Sequence, residues 1–177
     1  MLAPARWTGA AMLGLGVLVS DPADSATLRE GLDGTWTGQG AIAAGYETTA
    51  RTARCRVEVR QEDAANSLEI HATCATTAGR RAFTLRALFD GDTQVRAAVR
   101  ANGTAETTQY AGTGTETGME LSATSPILLD GAYYQSRLRI DLLDDTRFRI
   151  LHWLQPESAD SARQTLAIEF HRIAEAP

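Results

Sequence analysis

From residue 34 onward, apolar and polar residues alternate in short runs separated by turn-forming residues. Cys55, Val57 and Val59 alternate with Arg54, Arg56, Glu58 and Arg60. Leu68, Ile70, Ala72 and Cys74 alternate with Glu69, His71 and Thr73. A period of two belongs to a strand with one face buried and the other in water. The polar stretch QEDAANS between the two runs makes them a hairpin. Centring the turn between Ala64 and Ala65 sets Cys55 against Cys74, Val57 against Ala72 and Val59 against Ile70. Every apolar residue then meets an apolar partner, and a slip of one residue would oppose each to a polar or charged one. Opposed Cβ atoms lie about 4.5–5.5 Å apart and a disulfide asks for about 3.5–4.5 Å, so a Cys55–Cys74 bridge needs only small adjustment. The alternative is a pair of buried thiols packed as small hydrophobes.

The same alternation predicts strands over residues 34–43, 80–89, 94–100, 106–113, 118–124, 132–143, 146–155 and 163–173. DGD at 90–92, NGT at 102–104, Asp130-Gly131 and Asp144-Asp145 punctuate them as turns. Frequent turns and no long helical period indicate an antiparallel meander. Its apolar faces must be buried, by closure or by packing two sheets. Closure also removes edges that would template aggregation. The expected fold is all-β, an antiparallel up-and-down barrel of about 8–10 strands. Residues 27–33, TLREGLD, read as a short lead-in.

In such a barrel the predicted lumen includes Val57, Ile70, Phe83, Leu85, Leu138, Phe148 and Ile150. Barrels of this size either pack solid or hold one small ligand, and the pattern alone leaves both open. If a cavity exists, Phe83 and Phe148 are candidate apolar contacts and Tyr134 and His152 the polar handles. Tyr110, Tyr133 and Trp153 are read as facing elsewhere, marking a contact surface.

The N-terminus adds a compartment. Arg6 is followed by the apolar run AAMLGLGVLVS and then by small residues up to Ala26. That is the layout of a secretory signal peptide, giving a leader at 1–26 and a single barrel domain at 27–177. The run falls short of the about 20 apolar residues that a spanning helix needs, so no membrane span is expected in the mature chain. The expected location is periplasmic or secreted, where a disulfide persists. The net charge is −5, and all 17 basic residues are arginine. Acids interleave with these arginines, so no basic stripe suggests a nucleic-acid partner. A monomer is expected.

The first strand carries GTWTGQG at Gly34–Gly40. A Gly-x-Trp opening the first strand of an all-β meander resembles the lipocalin and calycin superfamily. The resemblance implies a barrel whose tryptophan, here Trp36, plugs one end under an arginine of the last strand, here Arg172. A guanidinium over that ring gains about 0.5–2 kcal/mol. GxWxGxG is also similar to the opening of nitrobindin-like haem barrels, which implies an axial histidine in a late strand. His171 is the late-strand candidate, but alternation with Leu166, Ile168 and Phe170 turns it outward, whereas His152 shares the face of Phe148 and Ile150. A tryptophan-led barrel with one early disulfide is similar, too, to small periplasmic inhibitors of secreted metalloproteases. In overall style the chain resembles small exported bacterial proteins of unknown function.

No catalytic grouping stands out. The three histidines are scattered, with His71 and His171 outward. No zinc-type spacing, nucleophile elbow, phosphate loop or dinucleotide fingerprint occurs. Asp141, Asp144 and Asp145 are explained by a turn. No catalytic residue, metal or cofactor is therefore expected. The leading expectation is a non-enzymatic exported barrel that binds a small apolar or amphipathic ligand. The alternative is an envelope protein-binding or inhibitor-like barrel, and the third a haem protein.

Overall fold

The computed structural model describes residues 26–43, 47, 49–62, 66–91, 93–102 and 106–174. The leader reading of 1–26 lies outside them except for Ala26, as does the Ala64–Ala65 turn. The strands are β1 (Gly34–Ile42), β2 (Arg51–Glu62), β3 (Ser67–Thr76), β4 (Gly79–Asp90), β5 (Gln94–Ala101) and β6 (Thr108–Thr115). They continue as β7 (Gly118–Ala123), β8 (Ile127–Leu129), β9 (Ala132–Asp144), β10 (Arg147–Pro156) and β11 (Arg163–Arg172). Strands β1 to β7 each pair with the next, β7 pairs with β9, and β9, β10 and β11 follow in turn. Strand β11 returns to β1, with Trp36 opposite Arg172 and Ile42 opposite Leu166. The result is a closed antiparallel up-and-down barrel of ten strands. Its meander order follows from short connections between sequential neighbours, and its closure satisfies both edges.

The small strand β8 stands apart from the ring. It pairs with the start of β9, Leu128 facing Tyr133, while β7 pairs with the rest of β9 from Ser122 to Gly118. Pro126 sits in the break between β7 and β8, where its missing N–H costs no ladder bond.

Register and faces agree with the alternation. Cys55 faces Cys74, Val57 faces Ala72 and Val59 faces Ile70. The cysteines are joined at an S–S distance of 2.05 Å. On β2, Ala53, Cys55, Val57 and Val59 are buried, and Thr52, Arg54, Arg56, Glu58 and Arg60 are exposed. One continuous apolar core runs the length of the barrel.

The lead-in proves to be a helix, α1 (Ala26–Leu32), which closes one end. Leu28 and Leu32, one turn apart, are fully buried in the core. Trp36 lies beneath them, also fully buried, and its Nε1–H donates to the carbonyl of Leu32 at 2.8 Å. Phe148 meets the Trp36 ring edge-on at 4.8 Å and stacks on Phe170 at 4.6 Å. The Arg172 guanidinium lies 4.1 Å over the Trp36 ring. It also donates to the carbonyls of Gly31 and Asp33 at 2.6 Å and of Asp145 at 2.9 Å. Carbonyls at a helix C-terminus lack intrahelical partners, and a cation there also opposes the negative end of the dipole.

This geometry accounts for two glycines of the opening motif. Gly34 has φ of 125°, a conformation that disfavours side chains, and a Cβ there would stand 2.8 Å from Arg172 Nη1. At Gly40 a Cβ would come within 2.0 Å of the Ala167 carbonyl oxygen, so only glycine lets β1 and β11 approach there.

Candidate functional site

Above the aromatic plug the lumen is not filled. A cavity of about 160 Å³ lies between β3, β4, β5 and β6 on one side and β9, β10 and β11 on the other. Its walls are apolar: Ile70, Phe83, Leu85 and Val99 face Leu138, Ile140, Ile150 and Leu166. Tyr110 and His152 supply its polar groups. Phe83, Val99 and Leu166 sit toward the strand ends remote from α1 and are only half-buried, so the cavity reaches solvent at that end.

Two polar side chains on the apolar faces join Tyr110 and His152 into one chain. Tyr110 Oη lies 2.7 Å from Ser136 Oγ, and Ser136 Oγ lies 2.7 Å from His152 Nε2. His152 Nδ1 lies 2.6 Å from Thr165 Oγ1, and Thr165 Oγ1 donates to the His152 carbonyl at 3.4 Å. Ser136 and Thr165 are buried, at 3% and 5% exposure. Groups so enclosed are costly unless bonded, and here each has a partner. The β10–β11 ladder places Thr165 here. His152 pairs with Leu166 but Trp153 pairs with Gln164, which leaves Thr165 as the extra residue of a bulge. Bulges re-aim side chains in this way, often beside functional sites.

Burial sets the ionisation of the chain. It lowers the His152 imidazole from 6.5 to about 4, so the ring is neutral at pH 7. It also holds the Tyr110 phenol above its ordinary value, opposed by the bond to Ser136.

Of the residues singled out from sequence, Phe83 and His152 line the cavity. Phe148 does not: it belongs to the plug, between Trp36 and Phe170. Tyr134 is buried at the start of β9, opposite Ile127 and Pro156, beyond the cavity lining. Tyr110 corrects the sequence reading, because it is buried in the lumen and not on a contact surface. In TQYAGTGT the inward positions after Tyr110 are Gly112 and Gly114, which give no apolar side chains to set the phase. Tyr133 is exposed, and Trp153 is half-buried beside the outer residues Arg137 and Gln155. Ser136 was visible as a polar residue in phase with Leu138 and Ile140; Thr165 was not, because a bulge breaks parity.

The haem expectation does not fit these residues. His171 is exposed on the outer face. His152 has both ring nitrogens in hydrogen bonds, leaving no free lone pair for iron. A cavity of 160 Å³ is also far smaller than a porphyrin.

Among the described residues, no group of three His, Cys, Asp or Glu side chains is placed to hold a metal ion. Asp141 is the shared acid of an outer ion-pair cluster, 2.7 Å from Arg139 and 2.8 Å from Arg149. Asp144 caps the following turn through the Thr146 N–H at 2.9 Å. Among the described residues, no helix is long and apolar enough to cross a membrane.

Fold and site together define a closed β-barrel with a plugged end and a small apolar cavity carrying one polar corner. No family model matches the chain, and comparison with curated proteins finds no similar one.

Proposed function

We propose that the protein is a non-enzymatic, exported barrel that takes one small, largely apolar molecule into its lumen. The observation that carries this is the 160 Å³ cavity, apolar on its walls and open past Phe83, Val99 and Leu166. Apolar cavities of about 150 Å³ admit benzene-sized guests. Export is supported by the N-terminal leader pattern and by the Cys55–Cys74 bridge, which suits an oxidising compartment.

Ser136 and His152 have the spacing of a nucleophile and its base, yet two features favour binding over catalysis. Burial makes the imidazole a weak base at pH 7, and Thr165 behind it offers no negative charge to stabilise an imidazolium.

The test is a titration with toluene followed by methyl NMR. Saturable shifts confined to Ile70, Leu85, Val99 and Leu138 are expected; an absence of saturable shifts would refute the reading.

A second reading, a protein-binding barrel of the envelope, draws on one observation. Leu128 and Tyr133, opposed on β8 and β9, are 56% and 54% exposed. Such a pair offers an apolar anchor to a partner protein.

A further inference from the structure

We infer that the occupant of the lumen is a neutral molecule that donates a hydrogen bond to Tyr110 Oη, such as a phenol or a short-chain alcohol. This rests on the cavity reading above and narrows it to a ligand class.

The argument is one of counting hydrogens along the buried chain. In the direction we infer, the single hydroxyl hydrogen of Thr165 goes to the His152 carbonyl at 3.4 Å, the one partner in the chain that can only accept. Thr165 Oγ1 then accepts from His152 Nδ1–H, at 2.6 Å. A neutral imidazole with its proton on Nδ1 has a bare Nε2, which accepts from the Ser136 hydroxyl at 2.7 Å. Ser136 has then used its hydrogen, so its oxygen accepts from the Tyr110 hydroxyl at 2.7 Å. All four hydrogens point away from the cavity. What Tyr110 has left for the lumen is lone pairs.

The walls set the rest. Among the described residues no arginine or carboxylate lines the cavity, so an anion would be buried without a counter-charge and a cation likewise. Burial keeps the imidazole uncharged at pH 7 and adds none. The 160 Å³ volume suits one six-membered ring or a chain of similar bulk. A ligand that only accepts hydrogen bonds would face the Tyr110 lone pairs with its own.

The opposite chain direction makes the opposite choice. With the proton on Nε2 the three side-chain bonds reverse, Thr165 gives its hydrogen to Nδ1 instead of the carbonyl, and Tyr110 presents its O–H to the lumen, selecting ketones and ethers.

The experiment uses the full mature chain at pH 7, titrated calorimetrically with phenol, anisole, toluene and benzoate. The same titrations are run on the Tyr110→Phe variant, which keeps the ring and removes the acceptor. Phenol affinity is expected to fall about tenfold in the variant while toluene and anisole change by less than about twofold, and benzoate is not bound by either. Nitrogen-15 NMR of the unsubstituted protein is expected to show the Nδ1–H tautomer of His152. An Nε2–H tautomer, an unchanged phenol affinity in Tyr110→Phe, or benzoate binding as well as phenol overturns this inference and leaves the cavity reading standing. Binding of none of the four probes overturns the cavity reading, and this inference with it.

Discussion

Lowering the pH tests whether His152 is held neutral by its surroundings. The ring's pKa is about 4 in the folded chain against an ordinary 6.5, and burial is the cause. Between these values the unfolded chain binds a proton that the folded chain refuses, so stability falls as pH falls through that window. From pH 7.5 to 5.5, just above the isoelectric point near 5.2, the unfolded imidazole becomes mostly protonated and the folded one stays neutral. The linkage amounts to about 1.3 kcal/mol at one unit below the unfolded value, and full protonation of the folded ring would take the loss to about 3 kcal/mol as an upper bound. With a urea dependence of about 1.5–2.5 kcal/mol/M, the denaturation midpoint should fall by roughly 0.5–0.9 M. The assay is equilibrium urea unfolding at both pH values, for the unsubstituted protein and for His152→Gln. The variant carries His71 and His171 unchanged, so the difference in slope isolates His152. Equal midpoint shifts in the two proteins would refute the claim that the buried chain depends on a neutral imidazole.

Three further outcomes follow from the fold. Replacing both Cys55 and Cys74 by serine opens a loop of 19 residues' separation and should cost about 3 kcal/mol, seen as a lower urea midpoint that reductant no longer alters. Arg172→Ala removes the cover of Trp36 and three carbonyl contacts, so a loss of about 2 kcal/mol is expected, with faster hydrogen exchange in residues 28–36 and little change in β9. Uniform exchange across the barrel would show instead that the plug is not a separate unit. Gly40→Ala sets a Cβ against the Ala167 carbonyl and should destabilise by about 1–3 kcal/mol in thermal unfolding, and an unchanged melting temperature would contradict the close approach of β1 and β11.

Much of this barrel was legible in the chain because strand alternation is local. Each inward residue of β2 and β3 is decided by its neighbours two positions away, and the Cys55–Cys74 register follows from matching two adjacent faces. Turn residues between runs carried the meander for the same reason. What failed locally was the phase of β6, where glycines replace the apolar side chains that mark a face, and α1, whose seven residues are too few for a helical period to declare itself.

The site lay beyond the reach of local pattern. Tyr110, Ser136, His152 and Thr165 come from four strands, and no spacing along the chain connects them. Thr165 enters only through a bulge, which inverts the parity that sequence reading relies on. The plug is likewise a product of closure: Arg172 reaches Trp36 and α1 because β11 returns to β1. By itself the sequence determined which faces are buried and which sequential strands pair, since side-chain alternation and turn chemistry are short-range. Only the tertiary structure decided where the lumen is filled and where it stays empty, since that depends on side chains from distant strands meeting across a closed barrel.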